Sequence, residues 1–209
     1  HVDLFGNDLE DLSSPENDTR YALIKELVVK FEEATTFGSL ISMDNQEQDF
    51  VDLQNTIENL VAEGDTLQKA AAKKLLPLVI QAKILAKKYD AAIANPPYMG
   101  QGYFNASLKY FASTVFKEWS GDLFTCFIKR MINFLKKNGN LSLITIGTWT
   151  FLPTYENMRA SFLKEVNFSS IIDNGRGVWG SDHGSIMFSA AKGVLHHNRN
   201  LIGTKFLSR

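Results

Sequence analysis

Apolar residues fall at helical spacing through the first third of the chain and in short runs after it. Between Arg20 and Ala34, the positions Leu23, Leu27, Val28 and Phe31 share one helical face, with Asp18 or Thr19 as its cap. Phe37-Gly38-Ser39-Leu40-Ile41 is short, apolar and marked by glycine, and reads as a strand. Residues 44–64 and 66–88 predict two helices parted by Asp65 or Thr66. Leu53, Ile57, Leu60 and Val61 line the first; Leu75, Leu76, Val79, Ile80, Ile84 and Leu85 line the second. Pro77 should kink or restart that second helix. Its lysines, Lys73, Lys74, Lys83, Lys87 and Lys88, read as a solvated face rather than a nucleic-acid patch.

From Tyr89 the pattern changes. Tyr89 to Ala94 predicts a strand, stopped by Asn95-Pro96-Pro97. Helices are expected over 105–117 and 122–137, the second capped by Asp122 and ended by Asn138-Gly139. Leu141 to Gly147 predicts a buried strand, 154–165 a helix, and Phe168 to Ile172 another strand. The glycine-rich turn Gly175 to Gly184 leads to a strand at Ser185 to Ala191. Strands alternating with helices and closing on a hairpin make an α/β fold with a mostly parallel sheet. Residues 1–19 read as an extended acidic lead, 20–192 as one catalytic-type domain with 44–88 as a helical insert, and 193–209 as a tail.

Composition narrows the partners. The 209 residues carry a formal net charge of -1, less basic than expected of a free-standing duplex-DNA binder. Any grip on DNA would lie outside the chain or on a local patch. Cys126 is the only cysteine, which excludes an internal disulfide and a cysteine-rich zinc site and fits a reducing cytoplasm. Within a helix pattern it reads as an inert core thiol. No apolar run approaches the roughly 20 residues of a membrane span. The acidic start lacks a signal core and a methionine, so a fragment or processed product is expected.

Asn95-Pro96-Pro97-Tyr98 carries the clearest chemistry. At average residue usage the chance of this motif in a chain of this length is roughly one in a thousand. Proline has no N–H and a fixed φ, so two prolines force the chain out of the sheet in a stiff form. Ligands of α/β sheets bind outside the carboxyl ends of strands, where Asn95 falls. The Asn95 side-chain oxygen and the Pro96 carbonyl form a pair of acceptors suited to an aromatic amine such as adenine N6. That nitrogen is a poor nucleophile because its lone pair is delocalised into the ring. Acceptors on both its N–H bonds localise the pair and strengthen as charge develops. Tyr98 can stack on a flat base, and Pro97 holds the geometry between them.

Other candidates keep two readings. Asp122 is a helix cap or a residue on a cofactor. Trp149 and Phe151 follow a strand's carboxyl end, and either help enclose a base or pack in core and rim. Gly175–Gly184 lacks the Gly-Lys-Ser/Thr of a phosphate loop; it is a hairpin turn, or a loop touching base or backbone phosphate through Arg176. His196-His197 has no carboxylate set beside it, and no metal is expected. The serines lack a nucleophile elbow.

Tyr89 to Gly100, with Asn95-Pro96-Pro97-Tyr98 inside it, resembles the catalytic strand of N6-adenine DNA methyltransferases. Asp122-Leu123-Phe124, the run Lys137 to Thr145, and Gly175 to Ser181 with Gly184-Ser185 resemble later blocks of the PglX family, the large adenine methyltransferases of bacterial BREX phage-defence systems. The likeness spans about residues 30–192. It implies a partial Rossmann-like methyltransferase sheet, S-adenosylmethionine as methyl donor, and double-stranded DNA as substrate with its adenine flipped out. It also implies phage-defence proteins as partners. By resemblance, Gly38, Ser39 and Leu40 reach the cofactor's adenine, and Asp122 sits on the cofactor side. The family's first cofactor motif, a strand turning through Cys-Gly-x-Gly, has no counterpart here: no Gly-x-Gly follows an early strand. The chain is therefore expected to be the middle of a longer protein and to bind the cofactor weakly or not at all alone. Two other readings stay open, a non-catalytic DNA- or protein-interaction module and a protein-glutamine N5 methyltransferase. The long insert and the Gly-Arg-Gly block speak against the latter.

Overall fold

The computed structural model describes residues 19–178, 184–193 and 201–205. The acidic lead through Asp18, Trp179 to Ser181 of the glycine-rich block, and His196-His197 lie outside the described residues. The chain divides into two compact units, with the boundary between Lys87 and Lys88.

The first unit is helical. Helices α1 (Thr19–Phe31), α2 (Glu47–Glu63) and α3 (Thr66–Ala86) share a core of Leu23, Ile24, Leu27, Phe50, Leu53, Ile57, Leu75 and Val79. Asp65 caps α3, accepting from the backbone N–H groups of Leu67 and Gln68, each at 2.9 Å. Residues 37–41 do not form the expected strand. A helical turn at Ala34–Phe37 passes at Gly38, with φ of 52°, into a 3₁₀ turn over Gly38–Leu40. Nor does α3 restart at Pro77, which is exposed within a helix that runs from Thr66 to Ala86. Ile80 and Ile84 do not join the core. They are 36% and 52% exposed, while Ala71, Ala72, Ala82 and Ala86 complete the buried stripe.

The second unit carries a five-stranded sheet. Its strands are β1 (Tyr89–Ala94), β2 (Leu135–Ile146), β3 (Val166–Gly175), β4 (Ser185–Lys192) and β5 (Ile202–Lys205), in the order β1-β2-β4-β3-β5. Pairs β1/β2 and β3/β5 are parallel; β2/β4 and β3/β4 are antiparallel. The sheet is thus mixed, not mostly parallel, because the hairpin strand β4 inserts between β2 and β3. β5 lies within the expected tail.

Helices α4 (Ala106–Val115), α5 (Leu123–Phe134) and α6 (Glu156–Glu165) complete this unit. α5 ends at Phe134, before Asn138-Gly139, and the chain enters β2 at once. Asn138, with φ of 64°, and Gly139 instead make an irregularity beside β1. A Cβ on Gly139 would sit 3.1 Å from the carbonyl oxygens of Tyr89, Asp90 and Lys136. Along β2 and β4, Leu141, Leu143, Thr145, Ile186, Phe188 and Ala190 are buried, while of the residues between them Ser142, Ile144 and Ser189 are half-buried and Met187 is exposed. One sheet face therefore holds the core while the other is partly open.

Candidate active site

β1 runs parallel to β2, with Ala94 opposite Leu143, and Asn95 follows at its carboxyl end. The strand cannot extend past this point because Pro96 and Pro97 offer no N–H to β2. Pro96 is buried, and Asn95 and Pro97 are exposed. The corner is thus anchored by one proline ring while the Asn95 amide faces outward.

Tyr98 turns back over the corner. Its hydroxyl donates to Asn95 Oδ1 at 2.8 Å and stands 3.3 Å from the Ile144 carbonyl on β2. The ring meets Phe124 of α5 edge-on, at 6.0 Å between centroids, and Tyr98 remains 46% exposed. Partial burial raises the phenol's pKa, so it stays a protonated donor at neutral pH.

The next residues are tied to the start of α5. Asp122 Oδ1 accepts from Met99 N–H at 3.1 Å and from Phe124 N–H at 3.2 Å. The Leu123 N–H donates to the Met99 carbonyl at 2.9 Å, and the Gln101 N–H to the Gly121 carbonyl at 3.1 Å. Asp122 is 7% exposed. Burial raises its pKa, against the backbone N–H groups that favour the carboxylate. Asp122 is thus the helix cap, and also a clamp on the loop after Tyr98. The sequence showed the cap by its position before α5; the clamp depends on a contact across 23 residues that no local pattern carries.

Of the remaining predicted residues, Trp149 lies in the core. It is 4% exposed, donates from Nε1 to Thr145 Oγ1 at 2.9 Å, and packs against Phe162, Phe168 and Phe188. This arrangement replaces the base-enclosing reading of Trp149. Phe151, 68% exposed, is the outward aromatic of that segment. Arg176 is exposed beyond β3. A cavity of about 340 Å³ on the open sheet face is lined by Asn95 together with Ile93, Ser142, Ile144, Ser170 and Met187, among others. Tyr98 does not line it.

Residues 16–179 match the model of the Eco57I restriction-modification methylase family. The chain belongs to that family. It is 34% identical over 176 residues to the adenine-specific methyltransferase BrxX of Escherichia coli O9:H4 (strain HS), covering 84% of this chain and 15% of BrxX. It is 26% identical over 144 residues to the adenine-specific methyltransferase PglX of Lacticaseibacillus casei (strain Zhang), covering 65% of this chain and 12% of that protein. Among solved structures, the Type ISP restriction-modification enzyme LlaGI, bound to a DNA substrate mimic, aligns with 75% of the chain and 19% of its own at 15% identity and a TM-score of 0.47. The chain thus spans less than a fifth of each of these proteins.

The residues expected on a cofactor's side divide. Asp122 is 7% exposed, and its Oδ1 accepts from the backbone N–H groups of Met99 and Phe124. Leu40 is buried at 1% exposure. Gly38 and Ser39 line an open cavity of about 270 Å³ within the first unit, with Phe31, Ile41 and Gln81. Among the described residues no group of carboxylates, histidines and cysteine could hold a metal ion. No helix of the described residues is long and apolar enough to cross a membrane.

Proposed function

We propose that this chain carries the target-base side of a DNA adenine-N6 methyltransferase that takes its methyl group from S-adenosylmethionine. The observation that carries the reading is the outward Asn95 amide at the carboxyl end of β1, its oxygen held 2.8 Å from the Tyr98 hydroxyl. Membership of the methylase family and the names of the two relatives support the same assignment.

In this reading a flipped-out adenine presents N6 to the corner. Asn95 Oδ1 and the Pro96 carbonyl each accept one N6–H bond, drawing the nitrogen from planar toward tetrahedral. Its lone pair is then free to point at the incoming methyl group. Both acceptors strengthen their hold as the nitrogen becomes positive, and their rigid placement avoids reorganisation during transfer. The exposed side of the Tyr98 ring stacks on the base. Arg176 contacts the DNA backbone, and Gly38 and Ser39 serve the donor side. The setting is cytoplasmic phage defence or restriction-modification, with double-stranded DNA and other defence proteins as partners.

The test uses the full-length protein encoded by this reading frame, incubated with S-adenosylmethionine and unmodified bacterial DNA. Adenine-specific sequencing should reveal N6-methyladenine at a recurring sequence. DNA that stays unmodified, or is modified on cytosine alone, would rule the reading out.

A further inference from the structure

The Tyr98 hydroxyl has one proton and two oxygens within reach. Asn95 Oδ1 lies at 2.8 Å, an ordinary O–H···O distance; the Ile144 carbonyl, at 3.3 Å, lies beyond the usual 2.5–3.0 Å range. The two ends of a side-chain amide have nearly the same shape but opposite hydrogen-bonding character. If the Asn95 amide turned over, its Nδ2 would face the phenol. The hydroxyl would then accept from Nδ2 and send its own proton to the longer Ile144 contact or to water, so only the oxygen-facing arrangement keeps the short O–H···O bond. An exposed asparagine without such a partner would sample both ends against solvent.

We infer that Tyr98 is a positioning residue whose hydroxyl fixes the Asn95 amide end for end, keeping Oδ1 where the target amine must donate. Oδ1 has two lone pairs, so it can accept from the phenol and from N6–H together. With Nδ2 in that place the site would set a donor against a donor, and the amine could not be held for transfer. The assignment rests on the reading of Asn95 as the amine acceptor. It gives the hydroxyl a task separate from that of the ring, which meets Phe124 by its edge and leaves a side open.

The experiment compares single-turnover methylation by the full-length protein and by Tyr98→Phe, which keeps the ring and its Phe124 contact. The rate of transfer should fall about ten- to a hundredfold, the scale set by misplacing a positioned group. KM for DNA and the fluorescence of a captured 2-aminopurine target should change little. The same substitution is then made in an Asn95→Asp background, where both ends of residue 95 are oxygens and no orientation can be lost. There Tyr98→Phe should cost less than threefold. Wild-type transfer by Tyr98→Phe overturns the assignment, as does an equal loss in both backgrounds, which would indicate packing alone. An Asn95→Asp protein too slow to compare also counts against it, since a carboxylate there offers an acceptor at least as strong. If the wild-type protein transfers no methyl group to adenine, the underlying reading fails instead and takes this assignment with it.

Discussion

The Asp122 carboxylate accepts the backbone N–H of Met99 at 3.1 Å, so the side chain that starts α5 also fastens the loop behind Tyr98. Asp122→Ala strands both N–H groups. A lost cap costs about 1 kcal/mol and a buried unsatisfied donor about 1–3 kcal/mol, so unfolding free energy should fall by roughly 2–4 kcal/mol in urea titrations. Asp122→Asn keeps an acceptor and separates the charge from the bond. Burial raises the folded pKa of Asp122, so its neutral form is the one favoured by folding. That contribution is fully present below the unfolded carboxyl pKa and is lost as pH rises through the folded value. Melting temperature measured against pH should therefore show Asp122→Asn gaining on wild type between acid and neutral pH. A wild type that gains on the variant over that range would reverse the sign and rule out burial as the dominant effect.

Asn95→Ala removes the outward acceptor with little structural consequence, because the residue is exposed. Deleting one preorganised hydrogen-bonding partner of a transition state costs about 10²–10³ in rate. Transfer to DNA by the full-length protein should drop by that amount while circular dichroism and melting temperature stay close to wild type. Near-wild-type methylation would take Asn95 out of the chemistry.

Tyr98→Ala tests the ring. Base–aromatic stacking is worth about 1–3 kcal/mol, so capture of a 2-aminopurine base placed at the target should weaken by roughly tenfold or more. The change would appear as a smaller fluorescence increase on binding. An unaltered signal would show that the open side of the ring does not meet the base.

The corner was legible because its causes are local. A short apolar strand, two prolines and an asparagine specify a chain that must leave the sheet at Asn95, whatever surrounds it. The cap at Asp122 was legible for the same reason. Where the reading failed, distant partners decide the structure. Ile202–Lys205 is exposed throughout and has no strand pattern; it is a strand because β3 offers it a parallel edge. Phe37 to Ile41 has a strand's composition, yet five residues are too few to show a period, and the left-handed Gly38 sends the chain into a 3₁₀ turn. On α3 a pattern of large apolar residues points to Ile80 and Ile84, but small residues fill the tight helix contact, and Ala71, Ala72 and Ala82 are wholly buried. Trp149 looked available because it follows a strand end, and only the fold reveals the three phenylalanines around it.

Isolated as these 209 residues, the chain should bind S-adenosylmethionine weakly. No Gly-x-Gly occurs ahead of Asn95, and Asp122 Oδ1 is occupied by backbone donors. Gly38 and Ser39 line a cavity but bring no charged side chain to it. Isothermal titration should give no saturable heat at micromolar ligand. A micromolar dissociation constant would mean that the cavity beside Gly38, or another surface of the chain, forms a donor site on its own.

Trp149 separates a core role from a substrate role. Its indole fills the space between Phe162, Phe168 and Phe188, and its Nε1–H serves Thr145 Oγ1, which is completely buried. Trp149→Phe keeps an aromatic ring but leaves that hydroxyl without its donor and a void where the larger ring stood. The lost hydrogen bond costs about 1–3 kcal/mol, and the void adds to it, so the melting temperature should drop by several degrees. Because the indole is shielded from solvent, 2-aminopurine capture per folded molecule should equal wild type. A variant of unchanged stability with impaired capture would place the indole against the base, in conflict with its position among the three phenylalanines. The paired measurement is decisive because a core residue lowers the folded population, whereas a base-contacting residue lowers affinity at constant population.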